Sequence, residues 1–545
     1  MKAKLHLHSV CPWLVLTGGV IFTLSLQTYA QNGVFFSGDG GLKALLAQQF
    51  AAGNWHFDLR LPAPDWVVEL WQQGLYPFTP PYVYERSERY FITFPFPFPA
   101  LTAPFYRVLG LRGLYAVPLL ALWLVWIRFV QIGQQLRWRA DALAISLGVV
   151  IFASPLTLYG AMYWEHTLAV SLVFWGMTLV MWPGSATVSA SRAFVAGSLV
   201  GLSIWFRSEF ICLAAIVIGL TLLQWLRLKR RPWFPAIYGR MHWFIGGLLV
   251  SIAVFFGLNY IIYGHFLGIH ALQVVEESSI GQQLSQALVN YRQLLNALIR
   301  YFPLTLWALA MMALGGADGL RRSRQQIIVT WIMLLLFVLA VPLIIPPGAG
   351  GKQWGARFYL IVIPMLALVS GIYMNHILAD RHGWQRYIAL GSLVAVFLAG
   401  VYLNVYYGTA ASYRDRTTNS VSLRHNYESI APAVAAIEQH SSSYVAMSHQ
   451  FVAQQLWATT PEKTFFLTKS TLDVKQLARG LHQQGYENFL YVCYPHRPCN
   501  TPEESSERLA VSLSAAPLQL QFSAIGTFGK YPLYDVTISQ RLETG

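Results

Sequence analysis

Long apolar runs recur along this chain, and an α-helix needs roughly 20 such residues to cross a hydrocarbon core. We read about eleven of them, at 11–30, 113–133, 142–160, 167–183, 193–207, 211–226, 242–263, 301–316, 326–346, 358–378 and 387–407. Backbone polar groups must be satisfied internally within a bilayer, so the pattern commits the chain to an α-helical polytopic membrane protein. The composition agrees: 55% of residues are hydrophobic, 11% are charged and the mean hydropathy is +0.44. That lies outside the range of soluble domains.

Basic residues predict the orientation. Lys2 and Lys4 precede the first run and place the N-terminus in the cytoplasm. Every second connection afterwards is basic: Arg137 and Arg139; Arg192; Arg227, Lys229, Arg230, Arg231 and Arg240; Arg321, Arg322 and Arg324; Arg381 and Arg386. The net charge of +14 is then topogenic, and no nucleic-acid partner is expected. Two lysines before an apolar core, with Thr28-Tyr29-Ala30 after it, resemble a signal peptide. The length of the run favours a retained anchor.

An odd number of spans puts residues 408–545 outside as a soluble domain. Runs at Tyr427–Glu438 and Leu472–Gln484 look helical, and those at Tyr444–Met447, Asn488–Cys493 and Leu518–Ile525 look like strands, an α/β pattern. Cys493 and Cys499 bracket five residues there. A disulfide suits an extracytoplasmic domain, and two thiols with one histidine supply too few ligands for zinc. Cys11 and Cys212 lie in apolar runs and read as inert. The membrane domain is expected to span 1–407, with a long first outer loop over 31–112. That loop carries Trp55, Trp66, Trp71, Tyr76, Tyr82, Tyr84 and Tyr90, then Phe and Pro alternating from Phe94 to Pro99. The composition suits pieces lying in the membrane interface, the first over 42–53. A second outer stretch, 264–300, holds Glu276 and Glu277 and either caps a cavity or links two spans.

Ionisable residues at membrane level are costly and point to function. The strongest ones fall in outer turns: Asp39 in Ser37-Gly38-Asp39-Gly40-Gly41, Glu165 and His166, Arg207 and Glu209, Lys352 and Arg357. A carboxylate can accept a proton from an attacking hydroxyl, while Arg and Lys hold a phosphate leaving group. Glycines beside Asp39 and Lys352 would let backbone approach a ligand. Plainer readings stand beside these. Asp39 could be solvated, Arg207 and Glu209 could simply pair, His166 could be a satisfied interface residue and Lys352 could snorkel.

These turns resemble the GT-C superfamily of integral membrane glycosyltransferases, in its dolichyl-phosphate-mannose and aminoarabinose transferase-like branch. Ser37-Gly38-Asp39-Gly40 is similar to the essential acidic turn after the family's first span. Trp164-Glu165-His166-Thr167 resembles its second acidic turn, and Arg207-Ser208-Glu209 its short Arg-containing turn. Trp354-Gly355-Ala356-Arg357-Phe358-Tyr359, followed by Pro364, resembles its late Arg-aromatic motif. The likeness covers 11–407 and leaves the tail aside. Asp39 stands alone where many relatives carry an acidic pair, and the family's His-Pro-Pro element appears only as the Phe-Pro run and Pro80-Pro81.

The resemblance implies a sugar donor linked to a polyprenyl phosphate and an inverting transfer at the outer face of a plasma (inner) membrane. The acceptor would be a lipid, a glycan or a protein. Asp39 would act as base, Glu165 would assist, and Lys352, Arg357, Arg207, His166, Glu209 and Tyr359 would bind substrate. No cofactor is required in this branch, although some relatives use a divalent ion. A transporter or flippase, a polymerase or ligase of lipid-linked glycans, and a receptor working through its tail remain as alternatives.

Overall fold

In the computed structural model the described residues are all except 1, 31–32, 184–186, 227–238, 270–279, 314–322, 346–353, 381–383, 411–422, 496–498, 500–507, 512–517 and 541–545. Lys352, Glu276, Glu277, Arg227, Lys229, Arg230, Arg231, Arg321, Arg322 and Arg381 therefore lie outside the described residues.

In chain order the helices and strands begin with α1 (Lys2–Gln27), α2 (Asp39–Ala51), α3 (Asp65–Leu70), β1 (Val83–Arg86), β2 (Arg89–Ile92) and α4 (Pro97–Leu109). Next come α5 (Ala116–Gln135), α6 (Ala140–Phe152), α7 (Leu156–Gly160), α8 (His166–Met181), α9 (Ala190–Ser203), α10 (Phe210–Leu226) and α11 (Met241–Tyr263). They are followed by α12 (Ile280–Tyr301), α13 (Leu304–Ala313), α14 (Arg324–Ala340), α15 (Val362–Asp380) and α16 (Trp384–Val401). The tail holds α17 (Leu423–Gln439), β3 (Tyr444–Met447), α18 (Phe451–Gln455), β4 (Thr464–Leu467), α19 (Thr471–Gln483), β5 (Asn488–Val492), β6 (Arg508–Val511), β7 (Leu518–Phe528) and β8 (Tyr531–Gln540).

The chain divides into two compact units: Met1–Thr28 with Leu114–Arg414, and Tyr29–Gly113 with Asp415–Gly545. The first outer loop thus groups with the tail.

The first unit is a helix bundle. Glycines set its closest approach. A Cβ on Gly197 or Gly201 of α9 would strike Phe244 or Ser251 of α11, and one on Gly247 would strike Phe194. This is the small-residue packing by which membrane helices associate. Likewise Gly19 of α1 sits against Ile151 and Trp126, while Trp123 Nε1 donates to Thr23 Oγ1 over 3.1 Å.

Among the described residues, five helical stretches are long and apolar enough to cross a membrane: Pro97–Gln135, Met241–Tyr263, Arg324–Leu343, Val362–Ala379 and Arg386–Tyr406. A sixth is reached if the pair around the 93° bend between Tyr301 and Leu304 counts as one. The run 142–160 breaks into α6 and α7, and α8, α9 and α10 are single helices of 16, 14 and 17 residues. The Phe-Pro run ends by starting a helix: Pro97 and Pro99 occupy the first turn of α4, where a missing N–H costs no hydrogen bond.

The second unit is built on a six-stranded sheet of order β4-β3-β5-β8-β7-β6. The strands β4, β3 and β5 run parallel, and β8, β7 and β6 continue antiparallel. β4, β6, β8 and α18 add to the elements expected from sequence. A disulfide joins Cys493 and Cys499.

The first outer loop is part of this domain. Trp71 Nε1 donates to the Phe465 carbonyl over 3.1 Å, Trp457 Nε1 to the Gly33 carbonyl over 2.7 Å, and Asn426 Nδ2 to the carbonyls of Phe35 and Phe36 over 3.0 and 2.9 Å.

Candidate active site

In the first unit three connections meet: 161–165 before α8, 204–209 between α9 and α10, and 354–361 before α15. Arg207 ties two of them. Its Nη1 lies 3.3 Å from Glu165 Oε1, and its Nε lies 3.0 Å and 3.2 Å from the oxygens of Glu209. Both carboxylate side chains are buried, 2% and 4% exposed, while the Arg207 side chain keeps 15% exposure. The plain pairing of Arg207 with Glu209 is therefore present, and Glu165 joins it.

The third connection brings Arg357. Its guanidinium carbon lies 5.7 Å from the Trp164 ring centre and 4.9 Å from that of Phe358. The guanidinium carbon of Arg207 lies 5.2 Å from the same Phe358 ring. One aromatic ring thus holds two cations through its quadrupole. Two buried acids and two part-buried guanidiniums thus gather here, and the pairing with Arg207 offsets the burial of both carboxylates.

His166 opens α8, is buried, and lies tilted against Tyr159 and Trp164 with ring centres 5.4 Å and 5.3 Å away. Tyr159, which the sequence did not single out, accepts from the Trp354 amide over 3.2 Å. Trp354 Nε1 donates to Asn404 Oδ1 over 3.4 Å, and Asn404 Nδ2 returns to the Tyr301 carbonyl over 2.8 Å. A lone asparagine in an apolar run was the available signal. Gly355 turns the chain at φ +72°, where a Cβ would press on Pro155 and Tyr301. Tyr359 corrects an expectation. It is fully buried and its hydroxyl donates to the Val338 carbonyl over 2.8 Å, so it anchors the turn instead of presenting a hydroxyl to substrate.

Asp39 belongs to the second unit. It is the first residue of α2, half-buried, and its carboxylate makes no hydrogen bond or ion pair among the described residues. The glycines around it were expected to admit a ligand. They instead admit protein: a Cβ on Gly41 would strike the Gln454 carbonyl, one on Gly40 the Phe35 ring, and one on Gly38 would stand 2.8 Å from Gln454 Oε1. The turn is thereby seated on α18.

Tyr82 lies beside it. Burial, then the negative charge of Asp39, then Tyr494, push its hydroxyl up to about 12, so it is a proton-bearing donor at neutral pH. Lys43, the only charged side chain one turn on from Asp39 in α2, is buried with Nζ 4.6 Å from the Phe94 ring centre and 5.9 Å from that of Phe98. This gives the Phe-Pro run a role in the core of its unit. Among the described residues, no three His, Cys, Asp or Glu side chains are grouped as metal ligands.

No family model matches the chain, and no curated protein matches it in sequence. Solved structures do. ArnT from Cupriavidus metallidurans bound to undecaprenyl phosphate superposes with a TM-score of 0.52 and 13% identity, over 96% of this chain and 98% of that one. The same protein in the apo state gives 0.50 and 12%, over 95% and 98%. At such identity the likeness is one of fold: this chain shares its fold with ArnT.

Proposed function

We propose that the protein is a membrane glycosyltransferase that moves a sugar from a polyprenyl-phosphate donor to an acceptor hydroxyl. The observation that carries this reading is a cluster of two buried acids and two part-buried guanidiniums in a chain with the fold of ArnT, itself crystallised with undecaprenyl phosphate. The acceptor oxygen attacks the anomeric carbon and its proton passes to Asp39. The bond from that carbon to the phosphate oxygen breaks, and the polyprenyl phosphate leaves with the electron pair. Attack opposite the leaving group makes the transfer inverting.

Arg357 and Lys352 hold the phosphate, since guanidinium and ammonium groups stabilise the charge that grows on a leaving phosphate oxygen. Arg207 has a different part: paired with two carboxylates, it positions Glu165 and Glu209 and adds little net positive charge. Neither a cofactor nor a nucleic acid enters this scheme. Transfer takes place at the outer face of the inner membrane, with the N-terminus in the cytoplasm.

The test is transfer of radiolabelled sugar from a panel of polyprenyl-phosphate sugars, in membranes holding wild type or Asp39→Asn. Transfer by wild type and its loss in folded Asp39→Asn supports the reading. Equal transfer by both removes Asp39 from the chemistry. Absence of transfer, with movement of lipid-linked glycan across the bilayer, replaces the reading with a flippase.

A further inference from the structure

The second unit gathers a group of rings on the segment that seats the Asp39 turn. Strands β3 and β5 are parallel neighbours, and the chain leaves β3 for β4 on one side before returning to β5 on the other. Open α/β sheets bind ligands just beyond the carboxyl ends of such a strand pair, where the winding changes direction. Here those ends are followed by Ser448-His449-Gln450-Phe451 and by Cys493-Tyr494.

His449 stacks on Tyr494 with ring centres 5.0 Å apart and 24° between planes, and Phe451 lies 5.6 Å from Tyr494. Tyr82 from the first outer loop meets Phe451 at 5.3 Å. All are held in place. The Tyr494 amide donates to Ser448 Oγ over 2.8 Å, and its neighbour Cys493 is disulfide-bonded. Gln450, buried, accepts from the Thr79 amide over 2.9 Å and donates to the Pro80 carbonyl over 3.3 Å, which fixes the approach of Tyr82. The Asp39 turn is seated on the same 448–455 segment through Gln454.

Tyr82, His449 and Tyr494 nevertheless stay only half-buried. Rigid, part-exposed rings on the segment that also seats Asp39 suit a neutral ligand with a flat apolar face and hydroxyl groups at its rim. An anionic ligand would meet the negative charge of Asp39.

We propose that Tyr82, His449 and Tyr494 form the acceptor subsite, and that the acceptor presents a saccharide ring whose hydroxyl reaches Asp39. This rests on the glycosyltransferase reading for the role of Asp39, but the ring-binding site stands on its own geometry. The disulfide and the clamp of Gln450 then hold ring platforms, and the tail supplies acceptor recognition.

The experiment is saturation-transfer NMR with methyl glucoside, methyl mannoside and methyl galactoside on the full chain in nanodiscs. Circular dichroism and non-reducing mass spectrometry check the fold and the disulfide. Wild type should transfer saturation to the ring C–H protons of at least one glycoside. Tyr494→Leu and His449→Leu should each lower that signal about fivefold, the value of one aromatic contact. Asp39→Asn should keep it within about twofold, because the rings remain. No saturation of any glycoside by folded wild type overturns the proposal, as does an unchanged signal in both folded ring variants. Ring binding lost in Tyr494→Leu, with no sugar transfer by wild type from any donor, would leave this site standing and sink the glycosyltransferase reading.

Discussion

Replacing Arg207 by methionine removes the guanidinium that holds two buried carboxylates. The geometry sets the cost. Glu165 and Glu209 are 2% and 4% exposed and meet Arg207 at 3.3 and 3.0 Å, so neither can turn to water without repacking. Breaking a buried pair from one side costs about 3–5 kcal/mol, because a charge is left without compensation. Two carboxylates are stranded here, and protonation of one caps the loss near the upper end of that range.

Glu209→Gln keeps the shape and loses one charge-assisted interaction, about 1.5–3 kcal/mol. In the double variant Arg207→Met with Glu209→Gln, one stranded charge is already gone. The combined cost should therefore fall short of the sum of the single costs by at least about 1.5 kcal/mol. The assay is reversible denaturation of purified protein in one detergent, followed by tryptophan fluorescence, for wild type and the three variants. Single costs that add within about 0.5 kcal/mol would refute the coupling, as would an Arg207→Met variant as stable as wild type.

Three further outcomes follow from the same reasoning. Gly41→Ala should destabilise the second unit by about 1–3 kcal/mol, because its Cβ would meet backbone at Gln454; Gly38→Ala faces only the end of a side chain and should cost less, and comparative thermal melts check the order. Arg128, buried in α5, bonds the neutral Thr178 Oγ1 at 2.9 Å, Gln131 at 3.4 Å and the Trp182 carbonyl at 3.5 Å; with no acid to strand among the described residues, Arg128→Met should cost less than Arg207→Met in the same denaturation assay. His440 is held below its usual 6.5 by burial, with Asp535 opposing and Lys463 adding to the shift. The unfolded chain then binds the proton more readily, so stability is complete above pH 6.5 and falls as pH drops through that value; His440→Gln should flatten the melting temperature between pH 7 and 5, and an unchanged slope would contradict the shift.

What could be read from the sequence divides by distance along the chain. Apolar runs declare helices because period and length are local, and Glu165, Arg207, Glu209 and Arg357 stood out because charge in apolar surroundings is visible residue by residue. Their pairing was half visible: Arg207 and Glu209 share one turn, whereas the bond to Glu165 depends on how α8 and α9 pack. The Gly197-to-Gly201 spacing, which sets the fit of α9 on α11, is equally a local feature of the sequence. Strands β4, β6 and β8 carry weak alternation and exist because a sheet recruits them.

The reading of Gly38, Gly40 and Gly41 failed for a definite reason. Glycine reports that something approaches closely, and the sequence cannot say whether that is a ligand or a distant part of the same chain. Here it is Gln454, in a segment expected to be a separate domain. This changes how the tail must be studied. The first outer loop gives up Trp71, Gly33 and Phe35 to bonds with the tail, so removing the tail exposes those groups and takes away the seat of Asp39. Loss of activity on deletion would then be expected whether the tail recognises acceptor or merely supports the turn. Only variants that leave the seat intact, such as those at His449 and Tyr494, can separate the two roles.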